Sequence, residues 1–153
     1  METTTLTKIN LTSSEFEPGE EMPRRFTCDG DNINPPLKLE NLPLNTASVA
    51  LLLEDPDAPG GTWTHWLAWD LPPEPDIEEG LTAGIMGNND FGTTLYKGPC
   101  PAIGTHRYFF RVYALDVKLD LPTGSTREAL MKAMEYHVSG SGELLILYGQ
   151  SEL

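Results

Sequence analysis

Asp55 and Asp57 stand two residues apart in the run Asp55-Pro56-Asp57-Ala58-Pro59. Two histidines follow, His65 in Thr64-His65-Trp66 and His106 in Thr105-His106-Arg107-Tyr108. Carboxylates and imidazoles together can move protons, ligate a metal, or fix an anion by charge-assisted hydrogen bonds. The metal option is poorly served, because Asp-Pro-Asp lacks the His-x-x-x-His spacing of a helical zinc site and no cysteine pair offers tetrahedral closure. No metal and no cofactor are therefore expected. Covalent catalysis has one candidate, a hydrolase using Cys100 with His106. No Gly-x-Ser-x-Gly elbow occurs, and Pro99 and Pro101 flank the cysteine, so this is the weakest reading and the chain is taken as non-catalytic.

These residues need rigid carriers. Ser48 to Leu53 is a short apolar run ending at the prolines, which predicts a buried strand delivering both aspartates into a stiff turn. Thr64 to Leu71 is a second strand candidate, stopped by Pro72-Pro73. His106 to Asp116, rich in aromatic and β-branched residues, is a third. On that strand alternation puts His106, Tyr108 and Phe110 on one face and Arg107, Phe109 and Arg111 on the other. Arg107 is expected to pair with a carboxylate as a structural group. Gly84 to Gly104 reads as a long irregular loop, of the length that usually carries function, with Gly98 and Gly104 able to bring backbone close to a ligand.

The remaining elements are a first strand over Leu6 to Leu11, a last strand over Glu143 to Tyr148, and one clear helix. Ser125-Thr126-Arg127-Glu128 predicts a capping box, with Leu130, Met134 and Val138 forming the apolar face and Ser139 to Gly142 ending the helix. Many strands, one helix and long loops predict a mainly β fold, a sandwich or sheet core with a peripheral helix. No linker divides residues 1–153, so a single domain is expected.

The net charge of −13 would repel nucleic acid and an anionic bilayer at long range, which excludes both as general partners. Part of the acidity, Asp70, Glu74, Asp76, Glu78 and Glu79, is expected in a solvated loop. No secretory signal or membrane-spanning stretch is visible, so a cytoplasmic, non-integral protein is expected. In that compartment the default for Cys28 and Cys100 is two free thiols, a disulfide between them being the minority alternative. Exposed edge strands leave a homodimer open.

Five segments in order now carry a resemblance. Phe26-Thr27-Cys28-Asp29-Gly30 with Pro35-Pro36-Leu37, Asp55 to Pro59, His65-Trp66, Asn89 to Gly92 with Tyr96 to Pro101, and His106-Arg107-Tyr108 resemble the phosphatidylethanolamine-binding protein family, also called the Raf kinase inhibitory protein family. The likeness is greatest to its shorter bacterial and archaeal branch and runs from about Met22 to Tyr148. It implies a β-sandwich with one or two peripheral helices and a small anion pocket for phosphate or phosphorylated headgroups. By motif position that pocket comprises Asp55, Asp57, His65, Gly98, Pro101, His106 and Tyr108. The chain departs from the pattern at Ala102, where a second proline is usual, and at Ser139 to Gly142, which replaces an alanine-rich stretch. It also stops soon after Tyr148, without the C-terminal helix that borders the pocket in longer eukaryotic relatives.

Residues and resemblance together predict a binding protein for phosphate or a phosphomonoester, modulating a partner protein. Histidine cations and the tyrosine hydroxyl would donate to the anion. The alternative is an inhibitor of a protein kinase or serine protease that works through the rim loops around Gly87 to Ala102.

Overall fold

Val49, Leu51 and Leu53 alternate with Ala50 and Leu52 on one strand, and both sets are buried. A strand that is apolar on both faces needs a cover on each side. The structure, a computed structural model, describes residues 6–149 and supplies both covers. Its central strand β4 (Ser48–Asp55) lies in a six-stranded sheet. The other members are β1 (Thr7–Lys8), β5 (Trp63–Leu71), β7 (Ile85–Met86), β8 (Thr105–Leu115) and β9 (Val138–Gly149), in the order β1-β9-β8-β4-β5-β7. Against one face lies a three-stranded sheet of β2 (Asn10–Thr12), β3 (Leu37–Glu40) and β6 (Asp76–Ile77). Leu11, Leu37, Leu39 and Ile77 from it meet Val49, Leu51, Leu53, Phe110 and Ile146 in the main core. On the opposite face helix α1 (Arg127–Met134) lays Leu130 and Met134 over Ala50, Leu52, Leu67 and Trp69. The architecture is the mainly β sandwich with a peripheral helix that the sequence predicts.

Local differences have physical causes. The predicted first strand divides at Ile9, so that β1 joins the large sheet and β2 the small one. Thr126 rather than Ser125 caps α1, its hydroxyl accepting from the Ala129 amide at 3.2 Å. Val138 leaves the helical face and starts β9, and Ser139 to Gly142 extend that strand instead of closing the helix. Glycine is needed there: a Cβ on Gly142 would lie 2.2 Å from the Ile9 carbonyl oxygen where the first strand crosses beside β9. The acidic stretch is not wholly a loop. Asp70 lies in β5 and accepts the amides of Leu119 and Asp120, and Asp76, still exposed, enters β6.

One irregularity decides where the site forms. Leu53 pairs with Trp66 and the next residue, Glu54, pairs with Thr64, so His65 is the extra residue of a β-bulge in β5. Strict alternation would send His65 and Trp66 to opposite faces. The bulge turns the imidazole toward Tyr108, on the core side.

Candidate functional site

The C-terminal end of β4 and the N-terminal ends of β5 and β8 meet at one end of the sandwich, because both neighbours run antiparallel to β4. There β4 contributes Asp55, β5 contributes His65, and β8 contributes His106 and Tyr108 on the shared face that alternation predicts. Asp55 is buried and serves two groups. Its Oδ1 accepts the Asp57 amide at 2.8 Å, closing the proline turn, and its Oδ2 accepts from His106 Nδ1 at 2.6 Å. Donating Nδ1–H to the carboxylate orients the His106 ring and leaves its Nε2 free on the other edge. The ring stacks on Tyr108 with centroids 6.3 Å apart.

His65 is held differently. Its Nδ1 lies 2.8 Å from the Lys97 carbonyl oxygen and 3.1 Å from that of Gly98. Carbonyls only accept, so Nδ1 carries the hydrogen. Phe91 and Tyr108 meet the ring edge-on at 5.1 and 5.4 Å. Burial lowers the His65 pKa below its ordinary value, against the opposing pull of the two carbonyls and of Asp55 and Asp90. The sequence reading of both histidines as cationic donors therefore does not suit His65, which is neutral with its donor already committed.

The Tyr108 ring packs against both imidazoles, and its hydroxyl is the atom that stands out. It is buried and, among the described side chains, is the one buried polar atom without a hydrogen-bond partner. Burial raises its pKa and the Asp55 charge raises it further, partly offset by the Cys100 backbone amide alongside, so the phenol keeps its proton.

The wall opposite β8 is the loop Gly98 to Pro101, in which Gly98, Pro99 and Pro101 are buried. Gly98 is required, though for a different approach from the one the sequence suggests. A Cβ there would lie 2.0 Å from the Phe26 carbonyl oxygen, and its amide donates to Asn32 Oδ1 at 2.7 Å. The backbone thus approaches its own neighbouring loop, and the Gly98 amide is not available to an anion. Tyr96 Oη reaches the same Phe26 carbonyl at 2.9 Å.

Cys28 and Cys100 form a disulfide across these two loops, with Cα atoms 5.5 Å apart. This corrects the default of two free thiols. It also removes a free thiolate at Cys100 from the chemistry available beside His106.

Asp57, the other member of the motif, turns outward. Its carboxylate accepts from Arg107 Nε at 3.0 Å, Nη2 at 2.9 Å and the Arg107 amide at 2.8 Å. Arg107 is thus paired with a carboxylate, as expected. The arginine side chain, then its amide, hold the Asp57 carboxyl at about 2. Asp55, His65, His106 and Tyr108 are brought together with the 98–101 wall, whereas Asp57 braces the turn from behind.

Sequence reasoning missed the residues that fix the walls. Asn89 is buried, accepts the amides of Phe91 and Thr93, and donates to the Leu95 carbonyl. Asp90 ties that loop to Thr64, whose amide it accepts at 2.7 Å. Asn32 holds Gly98. Asparagines in Gly-rich loops were the available signal, since they stabilise turns by bonding backbone amides. Among the described residues no group of three or more His, Cys, Asp or Glu side chains could hold a metal ion. No described helix is long and apolar enough to cross a membrane.

Comparison with known proteins agrees with this fold. A UPF0098 protein of Methanothermobacter thermautotrophicus is 45% identical over 148 residues, covering 92% of this chain and 98% of that protein. One from Pyrococcus horikoshii is 48% identical over 147 residues, covering 89% and 74%. Among solved structures, a putative phosphatidylethanolamine-binding protein homologue from Chlamydia trachomatis superposes with a TM-score of 0.90 at 36% identity, covering 95% of this chain and 99% of that one. YbcL of Escherichia coli, described as a new member of the mammalian family, gives 0.86 at 27% identity, with 94% and 99% covered. The family model described as phosphatidylethanolamine-binding protein matches residues 12–149. With its fold and these relatives in agreement, the chain belongs to the phosphatidylethanolamine-binding protein family.

Proposed function

We propose that this protein is a non-catalytic receptor for phosphate or a phosphorylated headgroup, and that the occupied pocket modulates a partner protein. The observation that carries this reading is the Tyr108 hydroxyl, buried without a hydrogen-bond partner on a ring that packs against both His65 and His106. An unsatisfied buried hydroxyl costs about 1–3 kcal/mol, and a bound acceptor would recover that. An anion seated against Tyr108 would also meet His106 Nε2, whose opposite nitrogen is held by Asp55. The Cys28–Cys100 bond, Asn32 and Asn89 supply a preorganised wall, so little ordering would be required on binding.

Calorimetric titration with O-phosphoethanolamine tests this. One saturable site is expected, and Tyr108→Phe and His106→Ala should each weaken it by about tenfold or more, the loss of one hydrogen bond to a charged group. Absence of binding by the native protein, or unchanged affinity in both variants, would overturn the proposal.

A second reading, inhibition of a kinase or serine protease through the rim, draws on a separate observation. Phe91, Leu95 and Ile103 are exposed on the loops that frame the site, and Trp63 meets Phe91 edge-on beside them. Exposed apolar side chains on fixed loops suit a protein surface. Under this reading Leu95→Ser and Ile103→Ser would abolish inhibition while O-phosphoethanolamine binding persisted.

A further inference from the structure

The polar atoms left free in the pocket are not all donors. Tyr108 Oη–H donates. His106 Nε2 can donate or accept according to the protonation of a ring whose Nδ1–H goes to Asp55. His65 Nε2 is a lone pair, because Nδ1 holds the ring's single hydrogen between the Lys97 and Gly98 carbonyls. Among the described residues nothing donates to that lone pair.

A fully ionised tetrahedral anion brings only acceptors. Placed against Tyr108 it would set oxygen lone pairs against the His65 lone pair, a mismatch that costs affinity in a buried site. An anion carrying one proton avoids this by accepting from Tyr108 and donating its own O–H to His65.

We propose that the pocket selects tetrahedral anions that carry a proton, hydrogen phosphate and phosphomonoester monoanions, and discriminates against sulfate, with His65 Nε2 as the residue that sets the choice. This rests on the anion-receptor reading above. The proton bookkeeping is the same if His65 takes the proton from the ligand: the complex then holds an imidazolium and a dianion, one proton in either case.

The charged and titratable groups facing His65 are Asp55 from β4, Tyr108 from β8, against which His106 stacks in turn, and Asp90 from the loop after β7. Both carboxylates favour a protonated ring. Burial outweighs them, and the ring is neutral in the unliganded protein at neutral pH. A neutral His65 therefore obliges the ligand to supply the proton or solvent to add one.

The test compares inorganic phosphate, O-phosphoethanolamine and sulfate by calorimetry across neutral to mildly basic pH, in buffers of different ionisation enthalpy. Both phosphate species should bind, with sulfate at least about tenfold weaker, one tenfold step being one lost hydrogen bond's worth of binding. Affinity for O-phosphoethanolamine should fall by about tenfold per pH unit above the second ionisation of the ester, with uptake of about one proton per site. His65→Gln can turn an amide donor to the ligand and should bring the phosphate-to-sulfate ratio toward one. Should that variant fail to fold, the native ratio and proton count decide alone. Equal affinity for sulfate and phosphate, or binding of O-phosphoethanolamine above its second ionisation without proton uptake, overturns this inference while leaving the receptor reading standing. Failure of all three anions to bind overturns both.

Discussion

Glu54 and Asp55 are neighbours on β4, each 3% exposed, and they point to opposite faces of the large sheet. Glu54 accepts from Arg127 Nε at 2.5 Å and lies 3.3 Å from Arg111 Nε. Arg111 in turn reaches Glu143 and stacks over Phe109 at 4.8 Å. Guanidinium groups do not lose their protons, so this acid is matched by permanent cations under helix α1. Asp55 has a titratable partner, His106, and near it the Tyr108 hydroxyl, which no group meets at full hydrogen-bond geometry. Two buried carboxylates one residue apart thus differ in completeness. The finished cluster holds the fold, and the unfinished one is where the proposed ligand would bind.

The largest effect should come from the bond that closes the unfinished side. Cys28 and Cys100 are 72 residues apart, and removing a cross-link of that span costs about 4 kcal/mol in the chain-entropy picture. The paired Cys28→Ser and Cys100→Ser variant, measured by urea denaturation, should lose stability of that order. It should also lose anion affinity, because Gly98 to Pro101 are anchored through the 26–32 loop. Full affinity in this variant would mean that Asn32 and Tyr96 suffice to hold the wall.

On the finished side, Glu54→Ala leaves Arg127 without its carboxylate and Arg111 with Glu143 alone, and should cost about 3 kcal/mol, the low end for breaking a buried pair because both arginines keep some water. Anion binding by the folded fraction should persist. A Glu54→Ala protein that is stable but cannot bind phosphate would erase the distinction between the two acids.

Tyr108→Phe sharpens the comparison in the opposite direction. Deleting a buried hydroxyl that has no partner removes a desolvation cost, so the ligand-free variant should be more stable by about 1 kcal/mol. Thermal unfolding without and with O-phosphoethanolamine should show a raised midpoint in its absence and a smaller further rise in its presence than the native protein shows. A loss of stability in the ligand-free variant would show that the hydroxyl is already satisfied.

How much of this was legible in the sequence depends on whether local pattern or tertiary contact decides. The shared face of His106 and Tyr108 follows from strand alternation, which β8 obeys along its length. The stiff turn after β4 follows from its two prolines. His65 reaches the site through a bulge, and a one-residue insertion in a ladder leaves no mark on the sequence of one strand. Two cysteines far apart carry no information about pairing, which is set by the approach of the 26–32 and 96–101 loops. The pairing of Arg107 with some carboxylate was expected. That Asp57 is the partner, and so faces away from His65, depends on how the turn folds back over β8.

The smallest effect separates Asp57 from Asp55. Arg107 lowers the Asp57 pKa from 3.8 to about 2. A carboxylate depressed on folding contributes stability that is present above its ordinary value and is lost as pH falls through the folded one. The window for this pair is therefore between about pH 4 and about pH 2. The contribution is modest, because both side chains are open to water and salt screens them. Arg107→Met should flatten the fall in stability across that window, followed by acid unfolding at low ionic strength, while leaving the anion titration close to that of the native protein. Loss of anion binding in Arg107→Met would mean that the orientation of the Asp55–Pro59 turn depends on Asp57, and that both aspartates of the motif serve the pocket.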